Sequence, residues 1–375
     1  MSDATIDQLL AGVTGLTWQA LVMFGIAGLL LWLAIARDYE PLLLLPIAAG
    51  AILANLPHSP LIGEEGLLTI LYDAGIENEL FPLLIFIGIG ALTDFGPLLE
   101  NPRMVLLGAA GQFGIFGVLI LALLLGFSRA ESASIGIIGA IDGPTSIYVS
   151  GQLAPHLLGP ITVAAYSYMA LVPVIMPPVM RALTTPTERR IRMVPGGRAV
   201  GRRTRILFPI GVTLLVGTLV PMAAPLIGSL MLGNLMRESG VVQRLTGAAS
   251  NELANVVTLF LGLAIGSTMV GASFLRPGTL AILGLGIVAF GLDAATGLLL
   301  GKGLNRLSGG TFNPLIGAAG ISAFPMAARV VQRVAQSEDF ENFPLMHAMG
   351  ANAAGQVASA VAGGVLLALV AGSAV

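Results

Sequence analysis

The chain has 375 residues, of which 55% are hydrophobic and only 10% charged, with a mean hydropathy of +0.90. A soluble domain carries about a quarter of its residues charged, so this composition excludes one and predicts an all-α polytopic membrane protein. The net charge of −2 excludes no class of partner, whereas the absence of cysteine excludes disulfides and thiolate metal sites, and His58, His156 and His347 are too scattered for a zinc cluster.

The first sixteen residues hold Asp3 and Asp7 but neither Lys nor Arg, unlike a cleavable secretory signal with its basic start. The apolar run Trp18 to Ala36 is therefore expected to be a retained first span within a segment 1–38. Five further apolar runs follow at about 41–56, 80–97, 104–127, 133–152 and 158–181, forming a first unit over 39–182. A linker at 183–205 comes next. Eight of the seventeen arginines fall between Arg181 and Arg205, which places this linker in the cytoplasm by the positive-inside rule. It reads either as a topology anchor or as a docking surface for an acidic soluble partner. Beyond it, runs at about 207–232, 254–270, 278–301, 311–330 and 345–371 make a second unit over 206–375.

The two units echo each other. Asn78-Glu79-Leu80 matches Asn251-Glu252-Leu253 at a separation of 173, Asn101-Pro102 with Gly111 matches Arg276-Pro277 with Gly286 at 175, and Pro46 to Asn55 matches Pro225 to Asn234 at 179. An odd number of spans inverts the second copy. The expectation is two inverted five-helix repeats plus the extra first span, about eleven spans, with a cytoplasmic amino terminus and an external carboxyl terminus. Secondary transporters use this plan and place ion and substrate sites at the repeat interface.

The fourth span of each unit is irregular. In the first, Gly139 to Ser146 reads G-A-I-D-G-P-T-S; in the second, Asn313 to Ser322 reads N-P-L-I-G-A-A-G-I-S. Asp142 is the only formally charged residue between Glu131 and Arg181. A carboxylate inside lipid costs several kcal/mol, roughly 2.5 to 3.5 on insertion scales, so it normally has a cation, a proton or a partner. The proline behind it removes a donor and breaks the preceding turn, freeing carbonyls that must face protein or a polar cavity. An isolated Gly-Pro or Asn-Pro often marks only a packing kink; two at equivalent places in a duplication are less easily dismissed. Opposed breaks bring Asp142 and Asn313 together with free carbonyls and the hydroxyls of Thr145, Ser146 and Ser322, an all-oxygen set suited to sodium.

Other residues are candidates for a different ligand. Arg329 closes the second broken span, where its guanidinium is suited to a carboxylate, or else snorkels to the interface. Tyr166 and Tyr168 lie on the next span, as proton carriers or interfacial anchors, and Asn352 occupies the comparable span of the second unit. Asp293 lies near the outer end of its run, with water or Lys302 in reach, and is placed outside the site. No Walker-type Gly-Lys-Ser/Thr motif is present, so the chain shows no means of binding ATP itself. Nucleic acid is not an expected partner.

Asp142-Gly143-Pro144-Thr145, Tyr166-Ser167-Tyr168-Met169, Asn313-Pro314 through Gly317, Ser322 through Arg329, and Gly350-Ala351-Asn352 together carry a family resemblance. The chain resembles the membrane-embedded beta subunit of the sodium-pumping biotin-dependent decarboxylases of oxaloacetate, methylmalonyl-CoA and glutaconyl-CoA. The likeness covers most of the sequence, most closely 84–181 and 255–370. It implies that Asp142, Asn313, Gly317, Ser322 and Asn352 belong to the sodium-coupling region, and that Tyr168 and Arg329 handle the proton or carboxybiotin, with Ser322 beside it. It also implies decarboxylation of carboxybiotin coupled to sodium export across the inner membrane, a biotin carrier and carboxyltransferase alpha subunit, a small membrane gamma subunit and an oligomeric, lipid-embedded complex. Biotin attachment needs a lysine in an Ala-Met-Lys-Met-like segment, and the only lysine is Lys302 in Gly-Lys-Gly, so the biotin is expected on another chain. The sequence departs from the family where Ala140-Ile141 replaces a more glycine-rich approach to the acid, and at Asp293. The rival reading is a sodium-coupled carboxylate carrier with the same plan and no chemistry.

Overall fold

A computed structural model describes residues 12–38, 40–193 and 200–371. Arg198 of the linker, and Asp3 and Asp7, lie outside the described residues. All regular structure among the described residues is helical. The main helices are α1 (Trp18–Arg37), α2 (Pro41–Ala54), α3 (Leu80–Leu92), α4 (Met104–Ala110), α5 (Phe113–Leu124), α6 (Arg129–Gly136) and α7 (Gly143–Leu153). They continue as α8 (Leu158–Leu183), α9 (Arg202–Leu219), α10 (Ala224–Ser239), α11 (Ala254–Thr268), α12 (Pro277–Leu307), α13 (Met326–Glu338) and α14 (Leu345–Ala371).

By length and composition, five described helices can cross a membrane, or seven when two bent pairs are each taken as one span. The sequence reading of about eleven spans counts apolar runs, whereas this count takes only long helices and bent pairs. The difference lies where backbone is interrupted: α2 has 14 residues, α7 has 11, and the second irregular run is a 3-10 segment of seven residues, Pro314–Gly320. One bent pair lies in α8, which turns by 64° between Pro155–Met169 and Leu171–Leu183. Pro173 accounts for that bend, since it offers no N–H to the carbonyl four residues back and its ring crowds that carbonyl.

The helices begin and end for local reasons. Thr17 caps α1 by accepting from Ala20 N at 3.2 Å, and Arg37 in its last turn lies 4.9 Å above the Trp32 ring, a cation placed favourably at a helix carboxyl end. Met23, Ala27, Leu30 and Ala34 bury one face against α2, while Leu21, Leu29 and Ile35 on the other are exposed, as lipid-facing residues must be. Ser128 and Glu131 form a capping box at the start of α6. The Glu131 carboxyl is held below its ordinary range, chiefly by the Ser128 N–H and then by the Ser128 hydroxyl and His156. Because the folded value is the lower one, this contribution is complete above the ordinary carboxylate range and lost as pH falls through the lowered value.

Two seams cross between the sequence halves. α2 packs on α11, and α3 packs on α10. Backbone meets backbone in both: a side chain at Gly266 would strike Ile47 O, and one at Gly233 would strike Ile87 O. Small residues allow such approach, which drives helix association in lipid through dispersion rather than the hydrophobic effect. Each seam ends in an asparagine clamp. Asn55 Nδ2 donates to Met269 O at 2.7 Å and Asn234 Nδ2 donates to Thr93 O at 3.0 Å; both asparagines belong to the pair of segments that match at a separation of 179.

Candidate functional site

Asp142 sits where a helix is forced to restart. The 3-10 turn Ile137–Ala140 ends at Ile141, whose φ of 51° puts a β-branched residue in the left-handed region, at a cost of about 1–3 kcal/mol. Asp142 then takes extended angles and caps α7, with Pro144 in the first turn where its missing N–H costs nothing. The carboxylate thus meets the positive end of α7. Its Oδ1 accepts weakly from Thr145 N at 3.4 Å. Its Oδ2 accepts from three hydroxyls: Thr145 Oγ1 at 2.7 Å, Ser359 Oγ at 2.9 Å and Ser322 Oγ at 3.0 Å.

The second break meets the first. Ser322 N donates to Ala140 O at 3.3 Å, joining the two interruptions directly. Helix α14 secures the junction from one face, through residues spaced by four and three. Asn352 Nδ2 donates to Ile321 O at 2.6 Å, Gln356 Nε2 donates to Ser322 O, and Ser359 donates to Asp142. Gln356 and Ser359 were not singled out by sequence reasoning. The signal was present as polar residues at i, i+4 and i+7 from Asn352 inside an apolar run.

These bonds leave buried oxygen atoms over. Asn352 Oδ1, Gln356 Oε1 and Tyr166 Oη are buried and find no hydrogen-bond partner among the described residues. A buried unpaired acceptor costs about 1–3 kcal/mol, and side-chain oxygens around a carboxylate are the donor set of a hard cation. Asp142 is only 3% exposed, yet it lies on the wall of a cavity of about 620 Å³ that also reaches Tyr166, Ser322, Gln356, Arg329 and Arg237. Leu43, Ile85, Ile89, Met169 and Met349 supply much of its apolar lining. Space for an organic ligand and a buried acid therefore adjoin.

The sequence model of the family described as Na+-transporting oxaloacetate decarboxylase beta subunit matches residues 19–370. The chain belongs to this family. It is 52% identical to the methylmalonyl-CoA decarboxylase subunit beta of Propionigenium modestum, over 96% of each chain. It is 51% identical to the glutaconyl-CoA decarboxylase subunit beta of Acidaminococcus fermentans, again over 96% of each. It is 48% identical to the oxaloacetate decarboxylase beta chain 2 of Salmonella typhimurium, over 92% of this chain and 94% of that one. As in these relatives, the polypeptide is the beta subunit of a Na+-transporting decarboxylase with several subunits.

Within this beta subunit the predicted residues fall into three places. Asp142, Thr145, Ser146, Ser322 and Asn352 gather at the junction, where Ser146 Oγ donates to Asp142 O at 2.8 Å. Arg329 lies in the first turn of α13, exposed, on the cavity wall and in no ion pair among the described residues. Tyr166 faces the same cavity, whereas Tyr168 turns to α12 and donates its hydroxyl to Leu283 O. Asn313 is occupied elsewhere: its Nδ2 donates to Arg189 O at 3.2 Å and Ile191 O at 2.8 Å, and its Oδ1 accepts from Leu315 N at 3.0 Å. Gly317 packs its backbone on Gly297 of α12, an approach that any side chain would prevent.

The structure corrects the expectation for Asp293. It reaches neither water nor Lys302, whose Nζ lies 3.4 Å from Glu188 Oε2. Asp293 is fully buried and accepts from Gly114 N at the amino end of α5, because α12 is 31 residues long and carries position 293 to the interior. Removing a donor at the junction should be measurable in the transport reaction. Ser359→Ala removes a hydroxyl whose lone pairs can face a cation held by Asp142; if sodium binds there, its half-activating concentration should rise by about tenfold, read from CO2 release against sodium.

Proposed function

We propose that this beta subunit decarboxylates carboxybiotin delivered by a partner subunit and couples that step to export of sodium across the inner membrane, with Asp142 as the coupling carboxylate. The observation that carries this reading is the buried Asp142 carboxylate at the meeting of two broken helices, on the wall of a cavity that also holds Arg329. Asp142, Ser322 and Asn352 are the sodium residues of this reading, with Gly317 and Asn313 shaping the second break. Gln356 and Tyr166 contribute the remaining unpaired oxygens.

Carboxybiotin, when bound, supplies a labile bond between a ureido nitrogen and CO2, and its cleavage consumes one proton. Arg329 orients the carboxylate by charge and by its planar donor fork. The apolar walls exclude water and strengthen that interaction. Tyr166, facing the cavity, is the better placed of the two tyrosines to pass a proton, and Tyr168 holds α8 against α12. Sodium and a proton compete for Asp142, since a nearby cation favours the ionised acid and an empty apolar site the neutral one.

The reciprocal seams α2 with α11 and α3 with α10, and their matched asparagine clamps, support two inverted repeats over 39–182 and 206–375, after a first span in 1–38. Alternating exposure of the site by movement of one body against another follows from that plan. The basic linker 183–205 faces the cytoplasm, where the biotin carrier and carboxyltransferase alpha subunit docks; a small gamma subunit completes the complex in the membrane. The test is CO2 release from carboxylated biotin carrier protein by the purified membrane complex, with and without sodium. Sodium-stimulated release supports the decarboxylating pump. No release from folded protein that still binds sodium would instead support a plain sodium-coupled carboxylate carrier.

A further inference from the structure

The cavity wall holds a second guanidinium that the reaction above leaves unused. Arg237 closes α10, and its Nη1 donates to Leu92 O at 2.6 Å. Its other two nitrogens stand 3.6 Å from Asp94 Oδ2 and 3.6 Å from Glu238 Oε1, close enough for attraction but beyond a good hydrogen bond. Of its five N–H donors, only one is thus well used. Arg237 and Asp94 both line the cavity with Arg329.

The second arginine of the group explains how Asp94 can be given up. Arg205, where the basic linker enters α9, stands 3.6 Å from Asp94 Oδ1 and 3.8 Å from Glu238 Oε2. Asp94 Oδ1 also accepts from Gly96 N at 2.8 Å. If Arg237 turns to another anion, Asp94 keeps a backbone donor and a cation, and Glu238 keeps Arg205. No charge is stranded, which is the condition for an exchange that costs little.

We propose that Arg237 is a positioning and specificity residue of the cavity, which receives the carboxylate of the incoming N-carboxylated ureido ring in exchange for Asp94. The inference rests on the carboxybiotin reading and deepens it. Its consequence is discrimination between loaded and spent carrier. A carboxylated ring competes with Asp94 for the guanidinium, whereas the neutral ring left after CO2 departs does not, so Asp94 closes back on Arg237 and the spent ring is released. Arg329, exposed and without an ion partner among the described residues, carries no such built-in competitor.

The experiment uses the purified complex and its own carrier. KM for carboxylated carrier and Ki for uncarboxylated carrier are measured at saturating sodium in wild type, Arg237→Gln, Arg237→Lys and Asp94→Asn. Arg237→Gln should raise KM about tenfold with Ki unchanged, and Arg237→Lys should recover part of it. Asp94→Asn removes the competitor and should lower KM severalfold. An Arg237→Gln KM equal to wild type overturns the proposal, as does a parallel fall in kcat for Arg237→Gln and Asp94→Asn with KM constant, the signature of a purely structural ion group. Sodium-stimulated release by wild type keeps the carboxybiotin reading intact whatever the variants do; its absence in wild type removes both.

Discussion

Asp142→Asn should lower sodium-stimulated CO2 release by at least about 100-fold while the protein inserts and folds normally. The amide has nearly the same shape and keeps an oxygen for Thr145, Ser322 or Ser359, so the junction stays together. What it lacks is charge. A dehydrated sodium ion surrounded only by neutral oxygens in a low-dielectric site loses its strongest attraction, since two unit charges about 4 Å apart interact by roughly 4 kcal/mol even at an effective dielectric of 20. If coupling is obligatory, loss of sodium occupancy is loss of turnover, and about 2.7 kcal/mol suffices for a factor of 100. The measurement is CO2 release against sodium concentration, with sodium uptake into vesicles in parallel. Sodium stimulation and uptake at wild-type levels in Asp142→Asn would remove this residue from the coupling.

Arg189→Ala should destabilise the protein by about 2–3 kcal/mol and loosen the linker. Arg189 is 7% exposed. Its Nε and Nη2 both lie 2.7 Å from Glu338 Oε1, and its Nη1 donates to Thr184 O at 2.5 Å. Its own carbonyl accepts from Asn313 and from Asn342 at 3.2 and 3.0 Å. One residue therefore ties the end of α8, the start of the second break and the end of α13. Breaking a buried pair from one side costs about 3–5 kcal/mol; Glu338 keeps some water, with 20% of its side chain exposed, which reduces the figure. Arg189→Lys keeps the charge but not the fork and should recover less than half. Thermal unfolding in detergent and protease cleavage within the linker report the two effects. A midpoint and cleavage rate equal to wild type would show that Asn313 and Asn342 hold the linker without the guanidinium.

The site was legible in the sequence where a local rule was broken. A lone acid in an apolar run, and Gly-Pro and Asn-Pro at matching places, led to Asp142 and Ser322, which share a hydrogen bond across 180 residues. What a side-chain amide does with its two ends was not legible. Asn313 and Asn352 look alike on the page, yet Asn313 spends both ends on linker and turn, while Asn352 keeps an unpaired oxygen at the junction. Ser359, 217 residues from Asp142, was hidden because a serine in a long small-residue helix reads as ordinary packing. Asp293 was misjudged because apolar length does not say which end of a helix is wet.

The three hydroxyls around Asp142 Oδ2 bear on how a site alternates between filled and vacated. Each has one proton and two lone pairs on a freely turning bond. Turned inward, Thr145, Ser322 and Ser359 donate hydrogen bonds to the ionised acid and stand in for hydration. Turned aside, the same atoms offer lone pairs to a metal ion held by that carboxylate. If sodium is the ion held there, its loading and unloading can begin with the rotation of three hydrogen atoms, leaving every heavy atom where it was, and only afterwards draw on the larger parts of the protein.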